Sequence, residues 1–178
     1  MTIRTSWFTM DNKIGVDLNH PEAVAVTTAP EIPGTSHNLG DVVQGNDGSR
    51  WMFVKASATV SANNMIAIAA TNAAESLTTT HLASGIYTVG ISQMAVTAAA
   101  TGEYFWAILE ARNGAAVNAY GTCAPGTQLY LHSSQAGAIT TTATGYVLQG
   151  IYAMSTLSAT TTTLEVAMYT EVQATTSV

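Results

Sequence analysis

Glycine recurs about every dozen residues along this chain, 14 times in 178 residues, and so breaks any long helix. Between the glycines lie threonine runs, Thr78–Thr80, Thr140–Thr142 and Thr160–Thr163. A β-branched side chain is stiff at χ1 and fits a pleated surface better than a helix, so these runs favour extended structure. Many short strands punctuated by turn residues predict an all-β fold, a compact β-barrel or β-sandwich. The length suits one domain with an additional arm.

The individual strands are legible. Val42–Gln44 and Arg50–Lys55 flank Asn46-Asp47-Gly48, a strong hairpin signal. In Arg50–Lys55 both faces are apolar, with Trp51 and Phe53 on one and Met52 and Val54 on the other, which marks a strand buried on both sides. Further strands are expected at Met65–Ala69, at Ile86–Met94 with a break at Gly90, at Tyr104–Ala111, at Gln128–His132, at Tyr146–Met154 interrupted by Gly150, and at Leu164–Tyr169. Alternation in the last third points Leu129, Leu131, Leu164, Val166 and Met168 inward, and Tyr130, Glu165 and Tyr169 outward. No internal repeat of fixed period is visible.

The first 35 residues differ from the rest. Pro21, Pro30 and Pro33 fall there, each fixing φ and removing a donor. Residues 1–35 therefore read as an extended N-terminal arm, with one short strand at Ala23–Ala29, joined to a β domain over 36–178 by the turn Glu31–Gly34. An arm carrying Trp7, Phe8 and Ile14 is too apolar for a free tail and is expected to lie on its own domain or on a partner.

Charge is sparse. Five basic and eleven acidic residues make up 9% of the chain, against ~25% in a typical domain. Between Arg112 and Glu165 there is no charged residue unless His132 is protonated. Such a stretch is either covered in an assembly or solvated through Thr and Ser. In an assembly, surface strands bearing Tyr130 and Tyr152 are candidate contacts. The net charge is −6 and the basic residues are scattered, so neither nucleic acid nor an anionic membrane surface is an expected partner.

The start MTIRTSWFTMDNK lacks a signal peptide's continuous apolar segment, and the longest apolar runs fall far short of the ~20 residues that span a bilayer as a helix. A soluble protein is expected. One cysteine, Cys123, permits no intrachain disulfide, which fits assembly in a reducing cytoplasm.

Catalytic groups are few. No nucleophile elbow, phosphate-binding loop, paired-histidine zinc motif or Cys-x-x-Cys pair occurs. His20, His37, His81 and His132 are far apart in sequence and read as surface or turn residues. Asn46-Asp47-Gly48 lacks the further oxygen ligands of a calcium loop and reads as a β-turn. Glu103 and Glu110, seven apart on one strand, point to opposite faces, with Glu103 expected in the turn after Gly102. No basic neighbour in sequence activates Cys123. Trp51 and Trp106 read as core, whereas Trp7 and Phe8 need a docking surface. No catalytic, cofactor-binding or metal residue is assigned, and no enzymatic activity is expected.

Two stretches resemble a known family. The first holds GDVVQGNDG, then WMFVKASATVSANNMIAI. The second holds GISQMAVTAAATGEYFWAILEA, then APGTQLYLHSSQAGAIT, VLQGIYAM and TTLEVAMY. In this order they resemble the small β-rich head decoration (cement) proteins of tailed bacteriophages, over about two-thirds of the chain. The resemblance implies a compact β-barrel or sandwich on the capsid exterior of a virion. It further implies homotrimers at local three-fold positions that bind the major capsid protein and hold neighbouring capsomers together. Other readings are a tail, baseplate or fibre-base structural subunit, or a carbohydrate-binding β module, which would show exposed aromatics in a row.

Overall fold

The computed structural model describes residues 22–23, 37–98, 103–143, 146–158 and 162–176, with side chains described from 37 to 169 within those ranges. In chain order the elements are β1 Glu22–Ala23, β2 Val42–Gln44, β3 Arg50–Ala56, β4 Asn64–Ile68, β5 Ala73–Ser76, α1 Thr79–Ser84, β6 Thr88–Ser92, β7 Glu103–Tyr120, β8 Gln128–Leu131, β9 Ile139–Thr140, β10 Tyr146–Ala153 and β11 Thr163–Thr176. The protein is all-β with little helix, and it contains a closed five-stranded β-barrel with outer strands, as the alternation predicts.

Local chemistry explains the first elements. β2 and β3 pair antiparallel around Asn46-Asp47-Gly48, with Val43 opposite Trp51. The turn is a plain one: Asp47 Oδ1 accepts from the backbone of Ser49 at 3.0 Å, and Gly48 takes a φ of 82°. Both faces of β3 are largely buried, and every residue of β4 is buried. The threonine run at Thr78–Thr80 departs from its expected extended form, because it starts the helix α1. Thr78 is the N-cap, its side chain accepting from the backbone N of His81 while His81 Nδ1 accepts from the Thr78 backbone at 3.2 Å. That reciprocal capping outweighs the weak β preference of threonine in so short a segment.

Strand pairing closes twice. In the first ring β3 pairs with β7, β7 with β6, β6 with β4, β4 with β5, and β5 returns to β3 by a short parallel pairing at Lys55↔Ala73 and Ala56↔Ala74. In the second, β7 pairs with β11, β11 with β10, β10 with β8, β8 with β9, and β9 returns to β7 by a short parallel pairing at Ala119↔Ile139 and Tyr120↔Thr140. The two rings share one order of connections and one pattern of orientations. Even the isolated bridge Val60↔Val96 of the first ring has its counterpart in Cys123↔Leu157 of the second. The chain thus repeats a topology without repeating a sequence. Loops of unequal length between matching strands remove the fixed period that a sequence reading needs.

One strand, β7, belongs to both rings. Its 18 residues would span roughly 60 Å fully extended. Its first half pairs with β3 and its second half with β11. The expected strand Tyr104–Ala111 was therefore too short, and Glu103 opens the strand rather than sitting in a turn. Pairing slips by one residue between Trp51↔Ile108 and Arg50↔Glu110. Because side chains alternate along a strand, such a bulge moves the core-facing positions from Tyr104, Trp106 and Ile108 to Ala111, Ala115, Val117 and Ala119. These residues lie in one hydrophobic cluster that runs through both rings, from Trp51 and Phe53 to Leu129, Ile151 and Val166. A smaller cluster, including Val54, Ile66, Ile68 and Phe105, packs on the other face of the first-ring strands. With a shared strand and a shared core, the two rings form one unit.

The two expected breaks take different forms. Gly90 leaves β6 continuous, and an added Cβ there would lie 2.9 Å from the Ile108 carbonyl oxygen, so its role is close approach to β7. Gly150, at a φ of 85°, marks a bulge in β10 where pairing with β11 shifts. Of the expected arm, the backbone of β1 is described, and it pairs antiparallel with β7 at Glu22↔Tyr104 and Ala23↔Glu103.

Candidate functional site

The uncharged stretch seen in the sequence builds much of the second ring, whose outer face carries a group of tyrosines. In an antiparallel pair, residues directly opposite share a face. Tyr152 of β10 stands opposite Gln128 of β8 on one side and Ala167 of β11 on the other. Tyr130 and Tyr169, each two residues further along its strand, lie on that same face. The opposite face, with Leu129, Leu131, Ile151, Ala153, Val166 and Met168, is core. Tyr152 and Tyr169 are 45% and 44% exposed, with ring centroids 6.2 Å apart edge-to-face, and Tyr130 is half-buried. Gln128 is held flat, its Nε2 donating to the Leu148 carbonyl at 3.0 Å.

No charge reaches this face among the described side chains of the three strands. Glu165 occupies an outward position of β11 but is only 4% exposed, packed against Gly114 of β7. Tyrosine presents a large amphipathic surface with few rotatable bonds, which suits it to recognition at low entropic cost. The structure therefore places Tyr130 and Tyr152 on one face and adds Tyr169, whose outward alternation was the signal for it. Trp7, Phe8 and Ile14, the candidate anchors of the arm, lie outside the described residues.

The residues weighed for chemistry are dispersed. His37 is buried against Phe53 and Trp106, with ring centroids 5.7 and 5.1 Å away. His81 caps α1 and contacts Glu75 through Nε2 at 3.2 Å. His132 packs on Tyr120 in the second ring, and His20 lies outside the described residues. Glu110 is buried and accepts from Arg112 Nε at 2.6 Å, whereas Glu103 accepts from the Thr97 backbone at 2.6 Å. Cys123 is half-buried in its bridge to Leu157. Trp51 and Trp106 are fully buried in the core. Among the described residues, no group of three His, Cys, Asp or Glu could hold a metal ion.

Away from the tyrosine face, two clefts stand out among the described residues. One of about 510 Å³ lies beside the β2–β3 hairpin, where Arg50 and Arg112 flank Glu110. The other, of about 370 Å³, lies at the junction of the rings and is lined by Ser61, Asn64, Asn118, Tyr120, Gln135, Ala136, Ala138 and Thr162. No local pattern in the sequence marks this second cleft, because its walls come from segments far apart in the chain. Comparison with protein-family models, with curated proteins and with solved structures finds no match for this chain.

Proposed function

We propose that this chain is a structural protein of a tailed-phage virion that decorates and stabilises the outer surface of the capsid, binding the major capsid protein and its own copies as a trimer. The observation that carries the reading is the uncharged tyrosine face of β8, β10 and β11. Sparse charge over the whole chain, the closed β architecture and the order of the family-like segments support it. A protein that binds only the assembled shell stabilises it by mass action, by roughly RT ln(1 + [L]/Kd) per site.

Tyr152→Arg tests the reading on complete phage heads. Tyr152 is about half exposed, so the circular dichroism spectrum should keep its β character. Truncating a central interface aromatic costs about 2 kcal/mol or more, and a desolvated charge adds to that, so retention on heads should fall by roughly thirty-fold or more. Heads carrying the variant should lose their shells at a lower temperature. Unchanged retention and unchanged heat resistance, or location of the subunit on the tail in a virion reconstruction, would overturn the reading.

A further inference from the structure

The cleft at the junction of the rings is a built site. A loop of the second ring reaches across the first: Met65 N donates to the Gly137 carbonyl at 2.7 Å, and Gly137 N donates to the Leu77 carbonyl at 2.8 Å. Gly137 can take this position because it lacks a Cβ, which would overlap Asn64. Beneath the loop, Asn118 Nδ2 donates to the Ala62 carbonyl and to Asn64 Oδ1, both at 2.8 Å, while Asn64 Nδ2 donates to Ser76 Oγ at 3.1 Å. On the far wall, His132 Nδ1 accepts from the backbone of Ser134 at 3.2 Å and of Gln135 at 3.1 Å, and its ring packs against Tyr120 at 4.8 Å. These bonds hold the backbone of the walls and the Asn64–Asn118 pair in place, which lowers the ordering cost of binding.

The groups left over define the ligand. Both amide hydrogens of Asn118 are used, so its Oδ1 remains as an acceptor. The Gln135 carboxamide, the hydroxyls of Ser61 and Thr162, and the Tyr120 phenol line the cleft with hydrogen-bonding capacity to spare. Tyr120 is 42% exposed and offers an aromatic face. No lining residue carries a formal charge. An anion needs a guanidinium, an ammonium or a converging set of backbone amides, and the lining supplies no charged donor. An apolar ligand would strand the amides and hydroxyls without partners. A polyhydroxylated neutral molecule satisfies both conditions, because each hydroxyl donates and accepts while its C–H face packs on an aromatic ring. The volume of about 370 Å³ lies within the range of small-molecule sites, which run from roughly 300 to 1,000 Å³.

We infer that the junction cleft binds a neutral carbohydrate, one hexose unit of a glycan, with Tyr120 as the stacking platform and Gln135, Asn118 and Ser61 as the hydroxyl-reading groups. This holds whether or not the protein decorates a capsid. Saturation-transfer NMR on the full chain, with D-glucose, D-galactose, D-mannose and N-acetyl-D-glucosamine as separate probes, tests it. At least one sugar should receive saturation, strongest on ring protons of one face. Tyr120→Ala and Gln135→Ala should each weaken that binding about tenfold or more while the circular dichroism spectrum is unchanged. Ile86→Ser, at a position exposed on the first ring, should bind as the unaltered chain does. Binding of none of the four sugars, cleft variants that bind as tightly as the unaltered chain, or binding only of the charged probes N-acetylneuraminate and glucose 6-phosphate would each overturn the inference.

Discussion

Trp106→Ala is expected to destabilise the protein by about 3–5 kcal/mol, the usual cost of emptying a large aromatic site in a core. Trp106 is fully buried, 5.1 Å from the Phe53 ring and 5.1 Å from His37. It lies on β7, in the cluster that passes through both rings, so its loss is felt on both sides of the shared strand. For a chain of this size each kcal/mol moves Tm by roughly 2–4 °C, so the midpoint should drop by about 10 °C or more. Trp106→Phe separates packing from polarity. The indole Nε1 is buried without a hydrogen-bond partner, a burden of about 1–3 kcal/mol. Phenylalanine removes that burden and keeps most of the ring, so it should cost less than half as much as alanine. Urea unfolding followed by fluorescence and circular dichroism measures both. A loss below about 1 kcal/mol for Trp106→Ala would mean that the aromatic cluster is not central to the core.

Gly114→Ala should have a comparable effect through the backbone. Gly114 holds a φ of 102°, open to glycine and strained for every L side chain. An added Cβ would also overlap Glu165 Oε1, and that carboxylate has no open route out because Glu165 is 4% exposed. The conformational strain alone costs about 1–3 kcal/mol, and displacing the carboxylate adds to it, so a total of about 2–4 kcal/mol is expected. Glu165→Ala in the same chain tells the two parts apart. It removes the overlap but not the positive φ, so the double variant should be more stable than the sum of the single changes predicts. Strict additivity would show that the overlap contributes nothing. A Gly114→Ala chain as stable as the parent would mean that β7 bends elsewhere.

Asn113-Gly114 also shows where local reading stops. On its own this pair resembles a turn, and the expected strand ended just before it, at Ala111. In the folded chain Met168 pairs with Ala111 and Val166 with Ala115, so β11 carries β7 past the glycine. The propensity of two residues is outweighed by a ladder formed with a strand some fifty residues away.

Much of the rest was legible. The hairpin at Asn46-Asp47-Gly48, the doubly buried β3, the alternation of β8 and β11, and the outward tyrosines follow from turn chemistry and the two-residue period of a strand. These depend on near neighbours, and a sequence records near neighbours directly. The sequence by itself thus determined an all-β chain, its principal strands and most of its core. Tertiary structure alone decided which strands pair, that the pairing closes twice with one topology, and that a bulge lets a single strand serve both rings. It also decided that Ser61, Asn118 and Gln135 meet at one cleft. Those outcomes rest on contacts between distant segments, whose free energy comes from joint burial and whose register is set by a one-residue slip that no local pattern announces.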